Sequence, residues 1–324
     1  MAGGVPAKVE RQRHALTAKA QPAGGDLRTH LTTWDDNSRY EHWRVALDAF
    51  EADPLHGSGA GTFQRTWERD RKSHFKVVDA HSLYFEVLSE LGWPGMLFLR
   101  LALATPFAFA LARLRGPERH AYAAFIAAGG TLLLHAGIDW DWEMPALFVW
   151  FFGASGVALA SRRAASAASP PRLTRVVAGV ACLGLAVTPA LVLQSQDALD
   201  RSVRAFQKGD CATATDAALD SIDALPARAE PFEILGYCDA RARRNDLAMR
   251  AMRSARARDP HGWEYAYGLA VTQALAGEDP TAAAADAHRL NPLEAKAQDL
   301  QDALRVRSRA KRARAAGRAS IPFD

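Results

Sequence analysis

The sequence predicts an all-α protein in which a polytopic membrane region is followed by an α-helical repeat domain. Three observations support this fold class: charges are concentrated at the two ends, the middle third contains four apolar runs, and the C-terminal part carries prolines at a regular spacing. The 324 residues are 49% hydrophobic and 23% charged, but the 101 residues from 93 to 193 hold only 12 charged side chains. Plentiful apolar residues exclude a disordered chain, three cysteines exclude a disulfide-rich scaffold, and a net charge of +4 gives no case for nucleic acid.

The four apolar runs have the length of membrane-spanning helices, which need roughly 17–25 residues. Buried helices of a soluble bundle are the alternative, but such helices would show polar faces, and the third and fourth runs show none. The runs occupy residues 93–112, 121–138, 144–160 and 176–193.

The short loops between these runs predict the orientation of the chain. Loops 113–120 and 161–175 are rich in arginine, whereas loop 139–143 reads Asp-Trp-Asp-Trp-Glu and has no base. Because basic short loops stay in the cytoplasm, the acidic loop and both long ends should lie outside it. No signal peptide or apolar run precedes residue 92. We therefore expect a C-terminal part of a longer membrane protein, the alternative being an N-out protein inserted after translation.

The region 194–304 is predicted to form helical repeats of the tetratricopeptide type. Pro226 and Pro260 are 34 residues apart, and Asn291-Pro292 follows about one period later. Small or apolar residues recur at the positions where paired helices of such repeats meet, namely Ala214, Ala218, Gly236, Ala248, Met252, Ala255, Leu269 and Ala282. A groove for a protein partner and an irregular helical cap are both consistent with this pattern.

Two further features accompany the repeats. Cys211 and Cys238 both fall in the predicted extracytoplasmic region, where a disulfide is chemically allowed. The last residues, 305–324, form a basic tail, which either contacts anionic lipid or glycan or is a solvated helix end or disordered tail.

Residues 34–95 carry the candidate chemistry. His81 precedes a predicted helix over 82–91 that leads into the first apolar run, and a histidine with a near-neutral pKa can accept a proton from a hydroxyl nucleophile. Gly57, Gly59 and Gly61 alternate in a loop, where backbone N–H groups can approach a phosphate; a plain glycine turn is the alternative. Arg39 and Arg44 flank Trp43 and could pair with phosphate oxygens, or could simply be solvated.

Together these residues resemble the O-antigen ligase family. The run His81-Ser82, nine residues, Gly92, two residues, Gly95 matches the family signature His-[Asn/Ser/Gln]-x9-Gly-x-x-Gly. The upstream segments Arg39-x-x-x-Trp43 and Pro54-Leu55-x-Gly57-x-Gly59 look like the large periplasmic loop of that family. The resemblance covers about residues 34–193, and it extends to O-antigen polymerases and protein O-oligosaccharyltransferases.

The resemblance implies a membrane glycosyltransferase with a GT-C-like fold at the outer face of the cytoplasmic membrane. It implies transfer of a glycan from an undecaprenyl-diphosphate-linked donor to a hydroxyl of a lipid or protein acceptor. His81 would then position or deprotonate that hydroxyl, and Arg39, together with Arg44, would neutralise the diphosphate leaving group.

Further positions complete the predicted site. Gly57, Gly59, Ser82 and Tyr84 are expected to contact substrate, while Gly92 and Gly95 are structural positions of the motif. Asp139, together with Asp141 and Glu143, is expected to line the acceptor path, or else to belong to an exposed acidic turn. No metal site or cofactor is predicted, because no His, Asp and Glu cluster has ligand spacing.

Two other functions remain open at the level of sequence. One is a non-catalytic, membrane-anchored repeat protein that recruits an envelope partner, for which Arg39 and His81 would be dispensable. The other is a small-solute transporter, although a single arginine inside an apolar run and one histidine near its boundary offer little for a translocation path.

Overall fold

The computed structural model describes residues 39–159 and 171–322. In these ranges the chain forms thirteen α-helices, one short 3-10 helix and no strand, which confirms the all-α prediction. The first 38 residues and the loop arginines Arg162 and Arg163 lie outside the described residues. The chain divides into two compact units, one with residues 39–71 and 75–159, the other with 72–74 and 171–322.

The helices of the first unit are α1 (Arg39–Ala52), α2 (Phe63–Asp70), α3 (Leu83–Ala112), α4 (Arg119–His135) and α5 (Pro145–Leu159), with the 3-10 helix at Asp141–Glu143. The helices of the second unit are α6 (Arg172–Gln207), α7 (Cys211–Ala224), α8 (Glu230–Arg241), α9 (Asn245–Arg258), α10 (Trp263–Ala276), α11 (Thr281–Leu290), α12 (Ala295–Leu304) and α13 (Arg309–Ala316).

Helices α1 and α2 pack against the start of α3 through a small apolar core. Trp67 and Phe63 of α2 are buried against Val45 and Ala46 of α1, because the apolar residues of both helices recur at helical spacing. The stacked contact between Trp43 and Phe85, with ring centroids 5.4 Å apart, adds a second connection between α1 and α3. This packing holds the loops between the three helices close together.

Helix α3 is interrupted at Gly92, where φ is +60° and the backbone leaves helical geometry. The residues before this kink, 83–91, pack on α1 and α2, and those after it, 93–112, form the first apolar run. Glycine is required here, because a side chain is strained at such a φ.

Two helices of the described chain are long and apolar enough to cross a membrane, α3 and α6. Helices α4 and α5 coincide with the other two apolar runs, but they contain 17 and 15 residues. Helix α4 ends at His135 and not at Ile138, because residues 136–138 form a turn. The presence of four spans therefore stays a prediction.

The second unit is a series of antiparallel helix pairs with an alanine-rich core. Helix α6 runs without a break from its exposed apolar half into this core, so the domain boundary predicted at residue 193 lies inside a helix. Met252 fills the space between Gly236 and Gly268, where an added Cβ would lie 2.7 Å and 2.6 Å from the Met252 side chain. Small residues thus let the helices approach closely.

The turns between paired helices repeat every 34 residues. Gly209, Arg243 and Gly277 each have a positive φ in the turn that follows α6, α8 and α10, respectively. The register shifts in the third pair, where Ala282 is exposed and Ala283 and Ala287 are buried instead. The expected packing of Ala282 is therefore wrong, because the turn before α11 is longer than the turns before α7 and α9. The assignment to tetratricopeptide repeats stays a prediction.

A disulfide and a packed C-terminal tail complete the second unit. Cys211 and Cys238 form a disulfide between α7 and α8, with their Cα atoms 5.4 Å apart. The basic tail contains α13, whose Ala316 is buried against the repeat core. The Tyr267 hydroxyl donates to the Ser320 carbonyl at 2.8 Å. The tail is therefore a packed segment as far as residue 322, and the expectation of a disordered tail is wrong.

Candidate functional site

The predicted signature residues lie at the start of α3, in the first unit. Ser82 is the residue before the first turn of α3, as the sequence predicts, and His81 precedes it with φ of +52°. A non-glycine residue with positive φ is uncommon and costs on the order of 1–3 kcal/mol, and such residues cluster at active sites. The strained backbone turns the chain sharply just where His81 lies.

Asp79 fixes the orientation of His81. The Asp79 carboxylate accepts the His81 backbone N–H at 2.8 Å and lies 2.8 Å from Nδ1 of the imidazole. Because Nδ1 faces a carboxylate, the neutral ring carries its lone pair on Nε2. The hydrogen bond to Asp79 raises the pKa of His81 above its ordinary value, although burial opposes this shift.

The Asp79 carboxylate itself is kept ionised by its histidine. Burial acts to raise the pKa of Asp79, but the hydrogen bonds from His81 outweigh it and hold the pKa below its ordinary value. Asp79 is 5% exposed, so the charge is well shielded from water. The pair therefore resembles the oriented base of an acid–base catalyst.

A second imidazole, that of His42 on α1, lies beside His81. The two ring centroids are 5.0 Å apart, and His42 also packs edge-on against Trp67 at 4.7 Å. Burial, helped by a nearby charge on His81, lowers the pKa of His42 to about 4. At neutral pH His42 is therefore an uncharged ring next to a basic one.

Arg39 lies one turn before His42 on the same face of α1. Its guanidinium forms an ion pair with Asp139 at 3.0 Å, which joins two residues that are 100 positions apart in the sequence. Both side chains are partly exposed, at 30% and 25%. The structure thus brings three predicted site residues into one region. They are Arg39, which is predicted to bind the diphosphate, Asp139, which is predicted to line the acceptor path, and His81, the predicted base.

Two further acidic side chains, Glu86 and Glu143, lie beside this cluster. Burial is the main cause that raises the pKa of Glu86 to about 8; a hydrogen bond from the Ala80 amide at 2.8 Å opposes the shift, and neighbouring acids add to it. Burial also raises the pKa of Glu143, with Asp79 as the next contribution. Glu86 precedes the kink in α3 and is therefore outside the apolar segment 93–112. A protonated Glu86 next to an ionised Asp79 keeps the net charge of the cluster small.

The two glycine segments of the signature pack against each other. Trp93 donates its backbone N–H to the Pro54 carbonyl, and the Gly59 N–H donates to the Glu90 carbonyl, both at 2.9 Å. A Cβ at Gly57 would lie 2.3 Å from the Glu90 backbone, and one at Gly92 would lie 2.5 Å from the Pro54 oxygen. We call this contact between residues 54–59 and 89–93 the glycine clasp.

The Glu90 side chain extends the clasp to α2. Its two carboxylate oxygens accept the backbone N–H groups of Gly61 at 2.8 Å and Phe63 at 2.9 Å. Since the Gly57 N–H donates to the Asp53 carbonyl, the amides of Gly57, Gly59 and Gly61 are all engaged within the chain. The phosphate-binding role expected for these glycines is therefore not supported; close backbone packing accounts for Gly57, and a positive φ accounts for Gly59 and Gly61.

Tyr84 and Arg44 lie differently from what the sequence suggests. The Tyr84 hydroxyl donates to the Leu133 carbonyl at 2.8 Å, and the Leu83 N–H donates to the Ala136 carbonyl at 2.8 Å, so both residues attach α3 to the end of α4. Arg44 is exposed and pairs with Asp48 at 3.8 Å. It lies two residues beyond His42, about 200° around the helix, and thus on the opposite face of α1 from the cluster.

Gly95 and Ser82 complete the predicted positions. An added Cβ at Gly95 would lie 2.2 Å from the Leu91 Cβ, because the kink at Gly92 brings the two turns of α3 together. Ser82 is fully buried, and its hydroxyl has no hydrogen-bond partner among the described residues. No group of three metal-ligating side chains occurs in the ranges 39–159 and 171–322.

Sequence reasoning missed three members of this cluster: His42, Asp79 and Glu86. Two of them carried a local signal. Asp79 precedes His81 by two residues, and His42 follows Arg39 by three, which places them on one helix face. Glu86 carried none, because its importance depends on burial.

The comparison with protein families finds a match over the part of the chain that contains the histidine cluster and the glycine clasp. Residues 3–99 match the family model described as O-antigen ligase. The match contains Arg39, His42, Asp79, His81 and the whole glycine clasp, and it ends soon after the kink in α3. No curated protein and no solved structure gives a significant match. The O-antigen ligase match supports a glycosyltransferase-like, membrane-associated enzyme at the level of the family.

Proposed function

We propose that the first unit carries an O-antigen-ligase-type site that transfers a glycan from an undecaprenyl-diphosphate-linked donor to an acceptor hydroxyl. The observation that carries this proposal is the Asp79–His81 pair at 2.8 Å, with the Arg39 guanidinium in the same cluster. The family match over residues 3–99 supports the reaction class.

In the proposed reaction His81 acts as the general base. Its Nε2 accepts the proton of the acceptor hydroxyl while the hydroxyl oxygen attacks the anomeric carbon of the donor sugar. The bond from the anomeric carbon to the diphosphate oxygen breaks, and the lipid diphosphate leaves with the bonding electron pair. The raised pKa of His81 makes the ring a stronger base, and the Asp79 carboxylate stabilises the imidazolium that forms.

Arg39 has the complementary role at the leaving group. A guanidinium can bind phosphate oxygens in a bidentate manner and stabilise the negative charge that grows on them. In the structure Arg39 is paired with Asp139. A diphosphate carries more charge than one carboxylate, so we propose that the donor displaces Asp139 and leaves this carboxylate free to receive the acceptor.

The site is proposed to lie at the outer face of the cytoplasmic membrane. The apolar segment 93–112 begins directly after the clasp, so a lipid-linked donor would meet the site at membrane-surface depth. The acidic loop containing Asp139 is on the same side in the orientation that the arginine-rich loops favour. Both long ends of the chain would then be extracytoplasmic.

Substitution of His81 tests the proposal most directly. In native membranes supplied with a lipid-linked glycan donor, we expect His81→Ala to lower the transfer rate by about 10²–10⁴-fold, the usual contribution of a general base. Exposed His261 of the second unit provides the matched control, and His261→Ala should retain the wild-type rate. Transfer that is unchanged in His81→Ala would overturn the assignment.

A further inference from the structure

Buried polar atoms without partners gather around His81. Both ring nitrogens of His42, the Nε of Arg39 and the hydroxyl of Ser82 are buried and have no hydrogen-bond partner among the described residues. His42 is only 2% exposed and Ser82 is fully buried. Leaving a buried donor or acceptor unpaired costs about 1–3 kcal/mol, so such a concentration at one place points to a ligand that pairs with these atoms.

The chemistry of His42 limits what that ligand can be. An uncharged imidazole offers one N–H donor and one acceptor nitrogen, and it does not attract an anion. A saccharide hydroxyl is likewise both donor and acceptor, and it therefore suits a neutral ring better than a phosphate does. The ring centroid lies 5.0 Å from that of His81, so a saccharide held by one ring lies beside the other.

We propose that His42 is a substrate-binding residue that holds a saccharide hydroxyl next to the hydroxyl or anomeric centre at which His81 acts. This inference rests on the proposed function and assigns a role in it to a second imidazole, that of His42. The proposal includes a route of access to the buried ring of His42. Arg39 is one turn away on α1, and its movement from Asp139 to the donor diphosphate opens the ring to the saccharide. Apo sites often complete their hydrogen bonds only in the substrate complex.

Three substitutions separate hydrogen bonding from packing. His42→Asn keeps a donor and an acceptor, His42→Phe keeps a planar ring without them, and His42→Ala removes both. We expect the phenylalanine variant to raise KM for the saccharide by roughly 10–100-fold, with the asparagine variant closer to wild type. Thermal unfolding of each variant shows whether it is folded, and the asparagine and phenylalanine pair keeps the test valid if the alanine variant fails to fold.

Separate titrations of donor and acceptor identify which sugar His42 contacts. A KM increase confined to the acceptor assigns the hydroxyl to the acceptor, and one confined to the donor assigns it to the transferred glycan; either result supports the proposal. Equal KM values in the asparagine and phenylalanine variants would overturn it, since His42 would then act only through packing.

The wild-type protein distinguishes failure of this inference from failure of the proposed function. If the wild type transfers glycan and His42→Phe keeps its KM values, the role of His42 alone is refuted. If the wild type transfers none from a lipid-linked donor, the proposed function fails, and the role of His42 fails with it.

Discussion

In the first unit, three adjoining side chains keep buried polar atoms without partners, whereas in the second unit the buried serines bond to the neighbouring helix. The hydroxyls of Ser195 and Ser221 are 2.9 Å apart, and Ser202 donates to the Ala214 carbonyl at 2.7 Å. These bonds satisfy the polar groups of α6 and α7 and let the helices pack closely. The difference teaches that the buried serines of α6 and α7 serve packing, while the first unit gathers unpaired groups around His81, where we propose chemistry.

The glycines of the two units show the same contrast. Gly92 and Gly277 both have positive φ, but an added Cβ at Gly92 would collide with the Pro54 and Leu55 backbone, whereas one at Gly277 would meet no atom within 4 Å. Gly92 is therefore needed both for its backbone conformation and for the close approach of the Pro54 and Leu55 backbone. Gly277 is needed for its backbone conformation alone. Substitutions can therefore test the two units against each other.

The largest expected effect is that of Gly92→Ala. Backbone strain and the collision with Pro54 should together lower the free energy of unfolding by about 4 kcal/mol, because the glycine clasp cannot move away without losing the Trp93 hydrogen bond. Gly277→Ala is the matched control and should cost only about 1–2 kcal/mol of strain. Thermal unfolding with limited proteolysis of each unit measures both. Equal losses would show that the clasp is not tighter than an ordinary turn.

The disulfide should have the next largest effect, confined to the second unit. Replacing Cys211 and Cys238 with serine removes a cross-link that spans 27 residues, and the chain-entropy account gives a loss of about 3.5 kcal/mol. Glycan transfer should be unaffected in protein that stays folded. Cys182, a free and exposed cysteine, provides the control substitution. A thiol titration of the oxidised protein that finds more than one free cysteine would contradict the cross-link.

Asp79→Asn should shift the pH dependence of transfer. His81 must be neutral to act as a base, so the rate rises as pH increases through its pKa, which Asp79 keeps above 6.5. Without this carboxylate the pKa falls, and the acidic limb of kcat/KM should move to lower pH, with a lower plateau rate. In the second unit, Asp286 also pairs with a base, Arg256, and Asp286→Asn should leave the profile unchanged. An unmoved limb in Asp79→Asn would exclude His81 as the titrating group.

The Asp79–His81 pair also makes the stability of the first unit depend on pH. A histidine with a raised pKa stabilises the fold below the unfolded value near 6.5, and this contribution is lost as pH rises through the folded pKa. Asp79, whose pKa is lowered, contributes above its unfolded value and loses that contribution in acid. Asp79→Asn should therefore lower the melting temperature of the first unit most at mildly acidic pH.

The smallest effect is expected for Arg44→Ala. Arg44 and its partner Asp48 are both more than half exposed, and exposed pairs contribute about 0–1 kcal/mol. Transfer should change less than about twofold, whereas Arg39→Ala should abolish most of it. Donor titrations of the two variants measure the difference. A large loss in Arg44→Ala would place the outer face of α1 in the substrate path, against the position that the structure gives it.

The parts of the fold that sequence predicts are those set by local patterns. The amphipathic spacing of α1, the start of α3 after Ser82, and the 34-residue period of the turns all depend on neighbouring residues. The register error at Ala282 has a local origin too, because the longer turn at 277–280 shifts the helix by one residue. The possible Cys211–Cys238 link was evident from composition, but the 5.4 Å separation of the Cα atoms needed the fold.

The site was predictable only in part, because its members meet through long-range contacts. His81 and Arg39 stand in a recognisable motif, but the ion pair of Arg39 with Asp139 joins distant segments. The glycine amides were expected to be open, and only the fold reveals that the Glu90 carboxylate and nearby carbonyls accept them. His42 is a single histidine in a helix, and burial beside His81 is what makes it notable.

The length of helix α6 has one further consequence: a small tilt of the helix moves its far end by a large distance. Its 36 residues extend for about 54 Å at 1.5 Å per residue. The apolar half and the half that packs against α7 belong to the same helix, so they share one axis. If its apolar half is embedded in a bilayer, a tilt of about 10° would carry the far end of the helix sideways by about 9 Å over that length. The thickness of the surrounding membrane would then help to set where the repeats stand above its surface.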